Sequence, residues 1–437
     1  MVMAVLLHSA SPMILFAENV PSLPETGALI SLDGAVGRAL KSQAEIKRAV
    51  ARLHKEEAHY RSSVAEFLPK LSADIFQAVS TGEQTSVTYL NAGVEQPIFA
   101  GGKILAGKRK HNARVETEKL KLEEVRLDVE LAVRVLYAEV LKERELTRIT
   151  QGEVKELIAA HGRIKNLTEK EILPRAELFR IETILQNAKY ALVSHKETYD
   201  YLFTVLSETI GIGDGESLDM EPFFDVPELA EDLGGYFQTA RERDPVYKIG
   251  EFRMKEKKFE KRELQADRFP HLSLAAKWNR VRDDYADTNR AMVGIQGTWN
   301  IWDFGRLGNE IDAKTSEIEE TKWENEIEVR EHEKELRKLF HEARAAREKI
   351  RLMETVVCER QEIQKNEKAR LIAGKKGAGE LVDSFMALED AKIRRLEAIT
   401  EYRILLARLG RKIAFDHGVP STKPEAASSE TREGDPE

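Results

Sequence analysis

The side chains with the clearest chemical possibilities are two carboxylates, Glu177 and Asp383. Each falls in the first turns of a helical segment that restarts after a long helical run breaks. Acids there oppose the positive end of the helix dipole, and that alone could account for them. If three copies of the chain share an axis, both acids instead recur around one opening. A ring of carboxylates attracts cations and lets a constriction be held by hydrogen bonds or ion pairs. No catalytic pattern competes with these two readings. The chain has no histidine pair at metal-ligand spacing, no HExxH and no GxSxG. GIGDG at Gly211 follows a helix rather than a strand, and GKKGAG at Gly374 lacks the Lys-Ser/Thr ending of a phosphate loop, so both read as turns. The expectation is a protein that is not an enzyme and uses no cofactor and no metal.

Composition favours long helices over several compact globules. Of 437 residues, 33% are charged, and Glu, Lys, Arg, Ala and Leu recur in periodic stretches. The formal charge of −8 is dispersed without a basic block, which argues against nucleic acid as a partner. The single cysteine, Cys358, excludes an intrachain disulfide and reads as a buried thiol in a helix. No run of 18 apolar residues exists, so no transmembrane helix is expected. Residues 1–29 read as a weak signal segment with an N-terminal extension.

The elements that would position the acids come in two copies. FLPKLSADIF at Phe67 returns as FPHLSLAAKW at Phe269, with Pro69 and Pro270 marking the helix-to-strand turn 201 residues apart. A helix, a proline, two short segments of period two and a glycine exit recur in the same order. Along the segments, Leu71, Ala73, Ile75 and Val79 share a face, as do Leu90, Ala92 and Val94. Leu272, Leu274, Ala276 and Trp278 form the third such face, and Val293, Ile295, Trp299 and Ile301 the fourth. Each segment has the 9–11 residue length of a transmembrane strand, with Leu274, Ile295 and Trp299 facing lipid. A half-buried hairpin of a soluble domain is the plainer alternative, although the flanking helices carry their own seams. Trp278, Trp299 and Trp302 suit an interfacial aromatic girdle or ordinary packing. Gly101, Gly102 and Gly305 supply the backbone freedom with which strand turns into helix.

Behind each hairpin runs a helix of about sixty residues. Val115, Leu122, Val129 and Leu136 repeat every seven, with Val125 and Ala132 alongside. Leu336, Ala343, Ile350 and Val357 do the same, with Leu339, Ala346 and Met353. Sevenfold spacing makes coiled-coil seams. The runs break at NLTEKEILPRAEL and AGKKGAGELVD, and return helices follow. Domain bounds are a first repeat at 30–212 (hairpin 70–98), an acidic connector at 213–232, a second repeat at 233–412 (hairpin 271–301) and a polar tail at 413–437. The fold class is mainly α with β-hairpins, in two tandem structural repeats. One reading of such a chain is a soluble, elongated coiled-coil scaffold.

The motifs point elsewhere. SLDGAVGRAL at Ser31, LPKLS at Leu68, QPIFAGGK at Gln96, FPHLS at Phe269, NIWDFGR at Asn300, PRAELFR at Pro174 and GELVDSFMALEDA at Gly379, given twice in one order, resemble the TolC-like outer-membrane efflux family. The resemblance covers about residues 30–412. It implies a homotrimer in which four strands per chain build a 12-stranded outer-membrane β-barrel, because four strands cannot close one alone. It further implies a trimeric α-helical barrel across the periplasm, a periplasmic adaptor, and an inner-membrane transporter of the RND or ABC type. The implied role is a passive exit duct for efflux or type I secretion, in outer-membrane lipid of a Gram-negative-type cell. The family's tip acids map onto Glu177 and Asp383. Met386 stands where some members carry a second acid, and Gln43-Ala44 replaces an Asn-Pro that the second copy keeps as Asp244-Pro245.

Overall fold

The computed structural model describes residues 28–79, 86–212, 218–222, 224–283, 286–372 and 378–415. In chain order the elements are β1 (Ala28–Ile30), α1 (Leu32–Ser42), α2 (Ala44–Ala65), β2 (Lys70–Val79), β3 (Ser86–Phe99), α3 (Lys103–Glu169) and α4 (Arg175–Thr209). There follow β4 (Leu218–Met220), α5 (Leu233–Arg243), α6 (Pro245–Ala266), β5 (His271–Arg282), β6 (Asp287–Thr298), α7 (Arg306–Ile372) and α8 (Ala378–Lys412). The duplication extends to element length: α3 and α7 have 67 residues each, and α4 and α8 have 35 each. At 1.5 Å per residue α3 is roughly 100 Å long.

The hairpins join into one antiparallel sheet of order β2-β3-β5-β6. Its register places Leu71 opposite Val94, Val94 opposite Ala276 and Ala276 opposite Val293. Directly paired residues point to the same side of a sheet, so the four apolar stripes merge into one face. Leu274 and Ile295 are a cross-strand pair on it. The opposite face carries Lys70, Ser72, Asp74, Asn91, Glu95, Lys277, Asn279 and Gln296. The tip of the first hairpin, TGEQT, lies outside the described residues, as do AGKKG at 373–377, residues 213–217 of the connector and most of the polar tail.

Helices pack as a strip. Near the sheet the order is α2-α3-α6-α7, and in the far half it is α4-α3-α8-α7. The cores lie between them: Ala35, Val36 and Ala39 of α1 bury against Val133, Tyr137 and Val140 of α3, and Tyr236 and Ala240 of α5 against Leu336, Phe340 and Ala343 of α7.

Three sequence readings need correction. Trp299 and Ile301 are not in a strand, since β6 ends at Thr298 and the second hairpin with it, and the Trp299 indole donates to the Arg268 carbonyl at 3.2 Å in the turn beyond. Ala132 is exposed, because docking of α1 draws Val133, Tyr137 and Leu141 into the core and turns the sevenfold seam aside there. Cys358 is exposed rather than buried, lying off the α8-facing seam that Ile350 and Ala346 mark. The connector also supplies a strand: β4 pairs in parallel with β1, and the buried Tyr137 hydroxyl lies 3.0 Å and 2.8 Å from the carbonyl oxygens of Ile30 and Glu221 on either side, within hydrogen-bonding reach of both.

Introducing Arg at Leu274 or Ile295 should cost about 2–4 kcal/mol of membrane assembly per chain. The same change at Gln296, on the other face, should be mild. Folding yields in lipid vesicles measure both, and equal losses would reject the face assignment. Ser273 is a poor control because it is itself buried.

Candidate functional site

Glu177 and Asp383 meet at the end of the molecule away from the sheet. Pro174 caps α4 with an extended backbone and starts the helix without needing a donor, so Glu177 falls in its first turn. Asp383 stands one turn further into α8 than Glu380. Between the two acids lies a residue that the spacing argument did not single out. The Arg180 guanidinium donates to both Asp383 oxygens, at 2.6 and 2.9 Å, and sits 3.9 Å from Glu177 Oε2. Glu177 packs close to the α8 backbone: a Cβ on Gly379 would lie 3.2 Å from its Oε2.

Arg180 and Asp383 are the same position of the two repeats, each the sixth residue of its return helix. One copy carries the cation and the other the anion, and they clasp α4 to α8. The tip therefore has alternating charge, not bare carboxylates. The signal was present in PRAELFR, where Glu177 and Arg180 stand three residues apart on one helix face.

Further from the tip, two buried acids face each other across α3 and α8. Glu389 accepts from Lys392 at 2.8 Å. Glu153 has its pKa raised above 4.5, first by burial and then by the charge of Glu389. Along this seam a groove of about 740 Å³ opens between α3, α7 and α8, lined by Leu157, Phe385 and Leu388 together with Arg163, Lys368 and Lys392.

At the strand–helix junctions the glycines have the left-handed backbone that their placement anticipated. Gly101, Gly102 and Gly305 have φ of 60°, 87° and 87°. At Gly101 space also matters, since a Cβ would stand 2.6 Å from the Ala266 carbonyl oxygen. Pro69 and Pro270 sit in the turns between α2 and β2 and between α6 and β5. Asp244 caps α6 by accepting from the Val246 amide at 3.0 Å, whereas Gln43, its counterpart, makes no cap and donates to the Thr209 carbonyl.

Residues 35–161 and 237–413 match the family model of outer membrane efflux proteins. The chain belongs to the outer membrane efflux protein family. Its fold is similar to that of the channel CusC, at a TM-score of 0.76 and 11% identity over 87% of this chain and 91% of that one. It is also similar to VceC of Vibrio cholerae (0.74, 13%, covering 88% and 96%) and to the CmeC outer membrane channel of Campylobacter jejuni (0.76, 14%, covering 88% and 85%). No curated protein sequence matches the chain. Like its family, this efflux protein is a channel component and not an enzyme. Among the described residues no helix is long and apolar enough to cross a membrane.

Two outcomes are expected. Arg180→Ala and Asp383→Ala should loosen the tip equally, and the double variant should add little to either single one. The coupling should be about 0.2–1 kcal/mol, as for an exposed pair. Open probability in planar bilayers reads it, and additive effects would separate the two residues. Glu153→Gln should raise the thermal midpoint at pH 8. The folded-state pKa lies above the unfolded one, so ionised Glu153 destabilises the fold at high pH and the penalty disappears below pH 4.5. Calorimetry at pH 4 should therefore show no gain.

Proposed function

We propose that the protein is the passive outer-membrane exit duct of a tripartite efflux or type I secretion system. Three chains assemble, their strands close a 12-stranded barrel in outer-membrane lipid, and their helices form a tunnel through the periplasm. The observation that carries this reading is the ribbon: one continuous apolar face, one polar face and two unpaired edges, β2 and β6. Hydrocarbon accepts such a sheet only when its edges pair, and the polar face then lines a lumen.

The chain holds no energy-coupling motif, so transport is driven elsewhere. An inner-membrane transporter of the RND or ABC type supplies the energy, and a periplasmic adaptor joins it to the tip. The groove between α3, α7 and α8 suits an adaptor's helical segment, having an apolar floor with cationic flanks. The clasp of Arg180 with Asp383 keeps the tip narrow until the other pump components engage it.

Purified in detergent, the full-length protein should have a protein mass of three times 49.6 kDa and should give discrete conductance steps in planar bilayers. A chain that stays monomeric and soluble in plain buffer, without conductance, would make it a coiled-coil scaffold.

A further inference from the structure

The two halves of the chain are copies, so contacts between them within one subunit forecast contacts between the second half of one subunit and the first half of the next. The correspondence is fixed by element bounds. α5 and α6 follow α1 and α2 by 201 residues, and α7 and α8 follow α3 and α4 by 203, with lengths conserved between copies.

It can be checked inside the chain, because the α2–α3 and α6–α7 seams are equivalent. In the second copy Lys257 bonds Glu317, and Lys314 donates to Glu260 at 2.9 Å. The matching residues of the first copy are Glu56 with Arg114 and His59 with His111. The His59 and His111 rings stack with centroids 6.1 Å apart. Burial pulls the Arg114 pKa down, but Glu256, Glu260 and Glu56 together hold it above its ordinary value. The His59–His111 stack occupies the positions of the Lys314–Glu260 pair, and Glu56 and Arg114, again opposite in charge, occupy those of Lys257 and Glu317.

Near the sheet, among the described residues, one seam lacks its partner in a single subunit, the outer side of α7 facing the outer side of α2. We infer that this seam closes between two copies of the chain in the register of the α3–α6 seam, with Arg306 pairing Glu66 of the partner subunit and Glu317 meeting Lys55 and His59 of the partner subunit. The inference rests on the assembly proposed above and specifies its contacts.

Its evidence is charge complementarity. Within the subunit, Lys103 donates to Asp267 at 2.8 Å, and Arg114 bonds Glu256 at 2.6 Å and Glu260 at 3.0 Å. Carried across, the first becomes Arg306 with Glu66, opposite charges in the same sense. The second becomes Glu317 with Lys55, opposite charges with both signs exchanged, and with His59, whose ring N–H can donate to the carboxylate. The third ion pair of the seam, Lys110 with Glu263, falls on Ala313 and Ser62 and is neutral. No like-charge pair arises at any of these positions. In the lone subunit Lys55 is 65% exposed, and Arg306, 63% exposed, turns to Glu310 on its own helix.

The forecast also says where the two kinds of seam must differ. Gly101 corresponds to Phe304, which shares its left-handed backbone, with φ of 56°. No side chain fits at Gly101, between the Ala266 carbonyl and Phe269. Phe304, 91% exposed, therefore needs a junction wider by one side chain, against Ala65 and Leu68 of the partner subunit. The ring alternates tight junctions within subunits and wider ones between them.

Crosslinking with a short bismaleimide tests the register in full-length protein in detergent, after C358A has removed the exposed native thiol. The pair E66C/R306C should give covalent dimers and trimers on a denaturing gel. K103C/D267C should react within one chain without changing its mass class, and E66C/A313C, two turns out of register, should give little product. R306E should lose most of the trimer, and E66R/R306E should restore it. Trimers by mass that crosslink through E66C/A313C, or that ignore the charge reversal, would overturn the register and leave the duct intact. Absence of trimers before any substitution would overturn both.

Discussion

The constraint on which the structure depends is the fate of backbone hydrogen-bonding groups at the two edges of a four-stranded sheet. In water an open edge solvates itself, but in hydrocarbon each unpaired amide or carbonyl costs several kcal/mol. An outer membrane efflux protein with strands β2, β3, β5 and β6 has two such edges. It must satisfy them with neighbouring chains, so subunit closure is a condition of membrane insertion.

That requirement propagates along the helices. Each hairpin is continuous with a 67-residue helix through a left-handed turn at Gly102 or Gly305. Closing the sheet therefore sets the helices side by side for roughly 100 Å. Ion pairs such as Arg114 with Glu256 and Lys257 with Glu317 fix the register near the membrane. Aliphatic cores at the α1 and α5 belts hold the middle, and Arg180 with Asp383 holds the far end. Exposed ion pairs are individually weak. A long, thin wall can use many of them because it has no wide apolar core to lose.

Much of this was legible in the residues. Pro69 and Pro270 exposed the duplication, and period-two alternation located the strands and their shared apolar face. What escaped was whatever depended on packing against a partner distant in sequence. β1 and β4 are three residues each and exist only as a pair, which gives local alternation nothing to detect. Trp299 keeps the alternation of β6 but lies beyond its last ladder pair, at Thr298. Ala132 obeys the heptad, yet the docking of α1 overrides it. At the tip the acids drew attention as isolated charges. Their meaning changed once Arg180, 203 residues from Asp383, was seen to bind both carboxylate oxygens.

Amide hydrogen exchange in the detergent-solubilised assembly tests the central claim most directly. If edges are paired between subunits, alternate amides of β2 and β6 should be protected as strongly as those of the interior strands β3 and β5. Edge amides that exchange freely while β3 and β5 remain protected would mean that the sheet stays open, and subunit closure could not be what holds this protein in the membrane.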